Sequence, residues 1–113
     1  MASPAFAKEA AFVHHEAHLS SEDIAVATGA APSTARAWVA LKRVPSGRRA
    51  RRIAELSSIS GRLLRVMDPD YIPVWMNKPV PALDDRKPID LIGEGEYLRV
   101  ARLVSSLEEP VAT

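Results

Sequence analysis

The sequence contains no cysteine. Disulfides, thiolate zinc sites and thiol nucleophiles are therefore excluded, and the absence fits a reducing compartment. It also lacks any apolar run near the ~20 residues that a membrane-spanning helix requires. The first residues carry Lys8 and Glu9 inside their apolar stretch and have no basic leader, so they do not read as a signal peptide. A soluble, cytoplasmic protein is expected, without membrane association. Strand periodicity, internal repeats and low-complexity tracts are missing as well.

What remains is helix. At 113 residues, with 47% apolar and 26% charged, the chain has room for one compact domain or two small helical halves sharing a core. The fold class expected is all-α: an N-terminal helix-turn-helix half over residues 1–61, a long central helix, and a C-terminal helical half over 62–113. Net charge is only +1, yet it is unevenly placed. Residues 1–61 hold eight Lys/Arg against five Asp/Glu, and residues 62–113 hold seven against nine. Six cations sit together as Lys42, Arg43, Arg48, Arg49, Arg51 and Arg52. Such a cluster attracts phosphate with salt-sensitive affinity, and it also suits a plain solvated face.

Helix boundaries follow from caps and breakers. Ser3-Pro4 starts a first helix to about His18, with Phe6, Ala10, Val13 and Ala17 as its stripe. Its three histidines, His14, His15 and His18, lack an Asp or Cys to complete a metal set and read as surface. Ser20 or Ser21 caps a second helix that Gly29 ends. Ser33 and Thr34 open a third, to about Leu41. Ser46 caps residues 47–67, where Ile53, Leu56, Ile59, Leu63, Val66 and Met67 recur at helical spacing; Gly61 within it costs about 1 kcal/mol relative to Ala and suggests a bend or close packing. After Asp68-Pro69 the chain is proline-rich to about Lys87, so only short helical turns fit. Pro88 opens a short helix through Ile92 that Gly93 closes. Glu94–Leu107 is the last helix, with Tyr97, Val100, Ala101, Val104 and Leu107 on one face.

Residues 21–41 have the layout of a helix-turn-helix. Ala25 allows close crossing, Gly29 makes the turn, and Ile24, Ala30, Ala35 and Trp38 fall at the apolar anchors. In DNA-binding versions the start of the second helix enters the major groove. Arg36 would then read guanine while Ser33 and Thr34 hold phosphate, and Lys42, Arg43, Arg48 and Arg49 would lie along the backbone. The same pair of helices also serves purely as a packing or dimerisation unit. Both readings stay open.

The second half is more specific. It runs from Val74-Trp75-Met76 through Pro79, Leu83, Arg86-Lys87-Pro88, Asp90-Leu91 and Gly95-Glu96-Tyr97 to Arg99-Val100. In this order and spacing it resembles the toxin-binding domain of the Xre/MbcA/ParS antitoxin family, over about residues 62–113. A helix-turn-helix ahead of that domain is also the family's arrangement. The resemblance implies a partner, a toxin with a RES domain that consumes NAD, whose active site this chain would block. It further implies homodimerisation through the helix-turn-helix half, within a hetero-oligomeric complex, and repression of the shared operon by binding operator DNA. The toxin-binding residues so implied are Trp75, Arg86, Lys87, Tyr97 and Arg99, with the C-terminal run Glu108, Glu109, Pro110, Val111, Ala112 and Thr113 as a plug. Trp75 also suits a core anchor, and Arg86 has Asp84, Asp85 or Asp90 as partners at hand. Pro73, just before Val74-Trp75, would interrupt a helix there.

Two rivals are a stand-alone helix-turn-helix transcription regulator and a structural or pole-localising adaptor. An enzyme is the poorest fit: there is no thiol, no arguable Ser–His–Asp layout, and Gly93-Glu94-Gly95 is too short for a phosphate loop. No cofactor or metal is expected.

Overall fold

Prolines at helix starts and left-handed turn residues delimit most elements of this chain, with side-chain caps at Ser20 and Asp68. The structure is a computed structural model and describes residues 4–109. Its α-helices are α1 (Pro4–His15), α2 (Ser21–Thr28), α3 (Pro32–Val39), α4 (Gly47–Leu63), α5 (Ile72–Met76), α6 (Pro88–Gly93) and α7 (Tyr97–Glu108), with 3-10 turns at Pro69–Tyr71 and Pro81–Leu83. Among the described residues the only β-type pairing is an isolated antiparallel bridge between Val80 and Arg86. The all-α expectation is met.

Ser20 starts α2 with a complete capping box: its side chain accepts from the Asp23 amide, and the Asp23 carboxylate accepts from the Ser20 amide. Gly29 ends α2 at φ 76, the left-handed region where a Cβ is costly. Pro32 then occupies the first position of α3, so the third helix opens one residue before Ser33. Two short helices joined by a tight turn, α2 and α3, stand where the helix-turn-helix was expected at 21–41, and they pack on each other. Ile24, Ala25, Ala35 and Trp38 are buried at their crossing, and Ala30 is half-buried.

Several boundaries differ from the expectation. α1 stops at His15 because His18 adopts φ 63, while Ala17 and Leu19 continue into the core. Ser46 precedes α4 but makes no side-chain cap. α4 ends at Leu63 instead of Met67: Arg65 and Val66 donate to carbonyls only three residues back, the tightening that unwinds a helix end. The following Asp68-Pro69 forbids a restart in register. Gly61 passes through α4 without a break, and a Cβ there would meet only Phe12 Cζ at 3.9 Å. Pro73 does not interrupt α5; it lies within its first turn, where a missing amide costs nothing. α7 begins at Tyr97, three residues late, because Gly95 turns the chain at φ 89.

The spine is α4. It packs on α1 and α2 along one side and on α6 and α7 along the other. Ile53, Leu56, Ile59 and Leu63, the stripe read from the sequence, are fully buried, whereas Val66 is exposed beyond the helix end. One continuous apolar cluster joins Val13, Ile24 and Trp38 of the first half to Ile72, Met76, Ile89, Ile92, Val100 and Val104 of the second. At ~1.5–3 kcal/mol for each fully buried large side chain, this cluster dominates the favourable side of folding. α2 also packs directly on α6, so the halves meet without an intervening linker.

Candidate partner-binding surface

The expected contact residues lie on a framework of turns that proline and left-handed backbone fix in place. α5 carries Trp75, half-buried against the core, with Val74 exposed beside it. Trp75 is therefore an anchor with one edge left at the surface. From Met76 the chain passes through Asn77, whose side-chain amide donates to Asp23 Oδ1 at 3.1 Å and to the Pro73 carbonyl at 2.9 Å. That bond ties α5 to the start of the helix-turn-helix. The Val80–Arg86 bridge then closes a tight loop around Pro81–Leu83, with Asp84 and Asp85 both left-handed at φ 58 and φ 60. Asp residues tolerate that region better than most side chains.

Charges around this loop are mostly paired. Arg86 binds Glu94, not Asp84, Asp85 or Asp90 as the sequence suggested. The reason is spatial: the Val80 bridge turns Arg86 across α6 towards the helix end where Glu94 sits. Arg99 takes Asp84 at 2.9 Å and lies 3.7 Å from Glu96. Lys87 precedes α6, exposed, and pairs with no carboxylate among the described residues. Tyr97 is half-buried, its hydroxyl 3.3 Å from Ser58 Oγ on α4. Beside Arg99, a shallow cleft of about 340 Å³ runs between α7 and the 3-10 turn, lined by Ala82, Leu83, Arg99, Arg102, Leu103 and Ser106. Leu98 next to it is 65% exposed. Arg102 and Leu98 were not singled out in the sequence; their position on the outer face of α7 is what distinguishes them.

Glu108 has an intramolecular partner in the unbound chain. Its carboxylate accepts from Arg62 Nε at 3.1 and 3.2 Å and from Nη2 as well. The same guanidinium donates to Ser105 Oγ at 2.9 Å and to the Ala101 carbonyl. Arg62 therefore clasps the last two turns of α7 to the end of α4. Glu109 terminates α7 and is exposed, while Pro110, Val111, Ala112 and Thr113 lie outside the described residues. Hydrogen bonding and charge from Arg62 hold the Glu108 carboxyl below its ordinary value, and Arg62 is correspondingly raised.

The clasp has a definite pH dependence. A carboxylate held low contributes its tether in full above the ordinary value of 4.5 and loses it as pH falls through the lowered value. Arg62→Gln is expected to remove the tether at every pH. Amide exchange over residues 104–109 should accelerate in the variant at pH 7 and in the wild type only in acid. Identical protection of the two proteins at pH 7 would rule the clasp out.

In the first half, Ser33 and Arg36 are exposed on α3 and Thr34 is half-buried. Lys42 and Arg43 occupy the exposed turn after α3, and Arg48 and Arg49 the exposed first turn of α4. His14 Nδ1 lies 2.7 Å from the Leu19 carbonyl, and His18 pairs with Asp70 at 2.8 Å. Among the described residues no group of three His, Asp or Glu side chains converges on a metal position.

Residues 65–109 match the family model described as the antitoxin Xre/MbcA/ParS C-terminal toxin-binding domain. The chain is also 34% identical over 93 residues to the mycobacterial cidal antitoxin MbcA of Mycobacterium tuberculosis and of Mycobacterium bovis, covering 82% of each chain. The chain belongs to the Xre/MbcA/ParS antitoxin family. Its fold agrees: a chain in the crystal structure of the M. tuberculosis MbcT-MbcA toxin-antitoxin complex superimposes with a TM-score of 0.81 at 31% identity, over 95% of this chain and 96% of that one. The likeness therefore extends over the helix-turn-helix half as well as the family domain. No helix among the described residues is long and apolar enough to cross a membrane.

Proposed function

We propose that this antitoxin-family protein neutralises a cognate RES-domain toxin, an enzyme that consumes NAD, by docking through its C-terminal half and blocking the active site. The observation that carries the reading is the likeness along nearly the whole chain to a protein crystallised within a toxin–antitoxin complex. The surface chemistry supports it. Trp75, Arg86, Lys87, Tyr97 and Arg99 lie on one pre-ordered framework, and aromatic and arginine side chains are the types that dominate interface energies. Rigid turns at Pro79, Pro81 and Pro88 reduce the ordering cost of docking. We place Arg102 and Leu98 on the same surface, since both are exposed beside Arg99. The blocking element is the segment beyond Glu109, Pro110–Thr113, whose starting point is fixed by the Arg62 clasp.

The helix-turn-helix half has the second role in this reading. It forms a homodimer within the toxin complex and binds operator DNA, with Ser33, Thr34 and Arg36 towards the groove and Lys42, Arg43, Arg48 and Arg49 along the backbone. This makes a type II system with autorepression. The division into residues 1–61 and 62–113 is thus one of roles laid over a shared core.

Co-expression with the product of the neighbouring gene tests the reading. That product alone should stop growth and deplete cellular NAD, and co-expression of this chain should restore both. A neighbour that is harmless by itself, with NAD unchanged, defeats the proposal.

A further inference from the structure

The densest run of cations in the chain is largely unpaired among the described residues, with Glu55 the partner of Arg52 alone. Arg48, Arg49, Arg51 and Arg52 fall within the first six residues of α4, and its first turn contains no acidic residue. The contrast with α2 is plain, where Glu22 and Asp23 occupy the first turn. Cations at a helix N-terminus oppose the macrodipole, each by ~0.3–1 kcal/mol at exposed sites. Among the described residues only the Arg52–Glu55 pair offsets this. Ser46 supplies no side-chain cap, and Arg48, Arg49 and Arg51 pair with no carboxylate among the described residues.

These side chains also form a concavity. Gly47, Arg48, Arg51 and Arg52 line a cleft of about 380 Å³. Arg52 forms its inner wall, with its side chain only 16% exposed. It gives Nη1 to Glu55 at 3.1 Å, and its Nη2 lies under Gly95, where a Cβ would come within 2.8 Å. Its Nε is buried without any acceptor. A buried guanidinium donor with no partner is costly and calls for an anion or water. The planar fork of arginine matches phosphate oxygens in particular. No aromatic or aliphatic side chain lines the cleft, so it offers no apolar wall to an acyl group.

We propose that the cleft formed by Gly47, Arg48, Arg51 and Arg52 is a phosphate-binding site that recognises the phosphate group alone. The phosphate comes either from a nucleic-acid backbone or from a small pyrophosphate compound. The site shares Arg48 with the DNA-backbone contacts of the operator reading but lies apart from the base-reading residues of α3, and its phosphate binding is testable without operator DNA.

The test uses the full chain and inorganic pyrophosphate. Thermal unfolding is compared with sodium chloride at equal ionic strength, for the wild type, for Arg48→Gln/Arg51→Gln, and for Arg65→Gln/Lys78→Gln as a control of equal charge loss. At ten times the dissociation constant the wild-type Tm should rise by about 4 °C or more over chloride. The control should keep that rise and Arg48→Gln/Arg51→Gln should lose it. No rise above chloride, or an equal rise in Arg48→Gln/Arg51→Gln, overturns the proposal. A second arm measures binding of duplex DNA of arbitrary sequence against salt. If the backbone is the source, the log–log slope should fall by about two in Arg48→Gln/Arg51→Gln. An arginine-dependent Tm rise without DNA binding upholds the site, assigns it to a small phosphate compound, and retires the operator reading by itself.

Discussion

Gly93→Ala is expected to lower the melting temperature by about 8 °C, from a loss of about 2 kcal/mol. A Cβ at this position would lie 2.4 Å from the carbonyl oxygen of Val26 and 3.5 Å from its carbon. Both atoms are backbone, so no rotamer change relieves the clash. Relief requires α6 to move away from α2, along the seam where the two halves meet. Gly93 has no positive φ, so alanine is conformationally acceptable, and its better helix propensity contributes up to about 1 kcal/mol in the opposite direction. Overpacking against backbone typically costs 1–3 kcal/mol and wins here. Gly61→Ala provides the contrast. Its Cβ would find Phe12 Cζ at an ordinary 3.9 Å, so the helix-propensity gain stands and the melting temperature should rise. Thermal unfolding of both variants checks the pair. A Gly93→Ala protein as stable as wild type would mean that α2 and α6 are not in contact as described.

Truncation after Glu109 is expected to abolish toxin neutralisation while leaving the fold intact. The cut must fall there and not before Glu108. Removing Glu108 would free Arg62, unpin the last two turns of α7, and confuse a lost plug with a loosened platform. With Glu108 and Glu109 retained, the clasp and the core residues Val100 and Val104 are untouched, so the melting temperature should stay within about 1 °C, as for changes away from packed features. NAD consumption by the purified toxin, with either the full or the truncated chain in excess, gives the readout. The truncated chain should still co-purify with the toxin, because the α5–α7 framework is unchanged, yet the enzyme should turn over. Full inhibition by the truncated chain would dismiss the tail as the blocking element.

Local signals in this sequence were read well, and tertiary ones were not. The capping box at Ser20, the left-handed Gly29, the α4 stripe and Pro88 at the start of α6 are each fixed by residues within four positions of one another. The sequence therefore displays them directly. Boundaries moved where a turn conformation competed: Gly95 delays α7, and the residues before Pro69 shorten α4. Gly93 read as a helix closer, yet its requirement is the close approach of Val26, 67 positions away in sequence. Arg62 was passed over and Glu108 assigned to the tail because nothing local joins residues 46 apart. Arg86 drew attention to the nearest aspartates, while its partner is set by how the Val80 bridge turns the chain. Family resemblance in the second half rests on the order and spacing of Trp75, Leu83, Arg86-Lys87-Pro88, Asp90-Leu91 and Gly95-Glu96-Tyr97, a pattern legible along the chain.

The continuous core around α4 makes the two ends of this molecule thermodynamic partners. Neither half retains its apolar surface in shelter if the other unfolds, so a ligand bound at one end stabilises both by mass action. Proteases that cleave only opened chains would then be expected to remove the free form faster than a bound one, at whichever end the ligand sits.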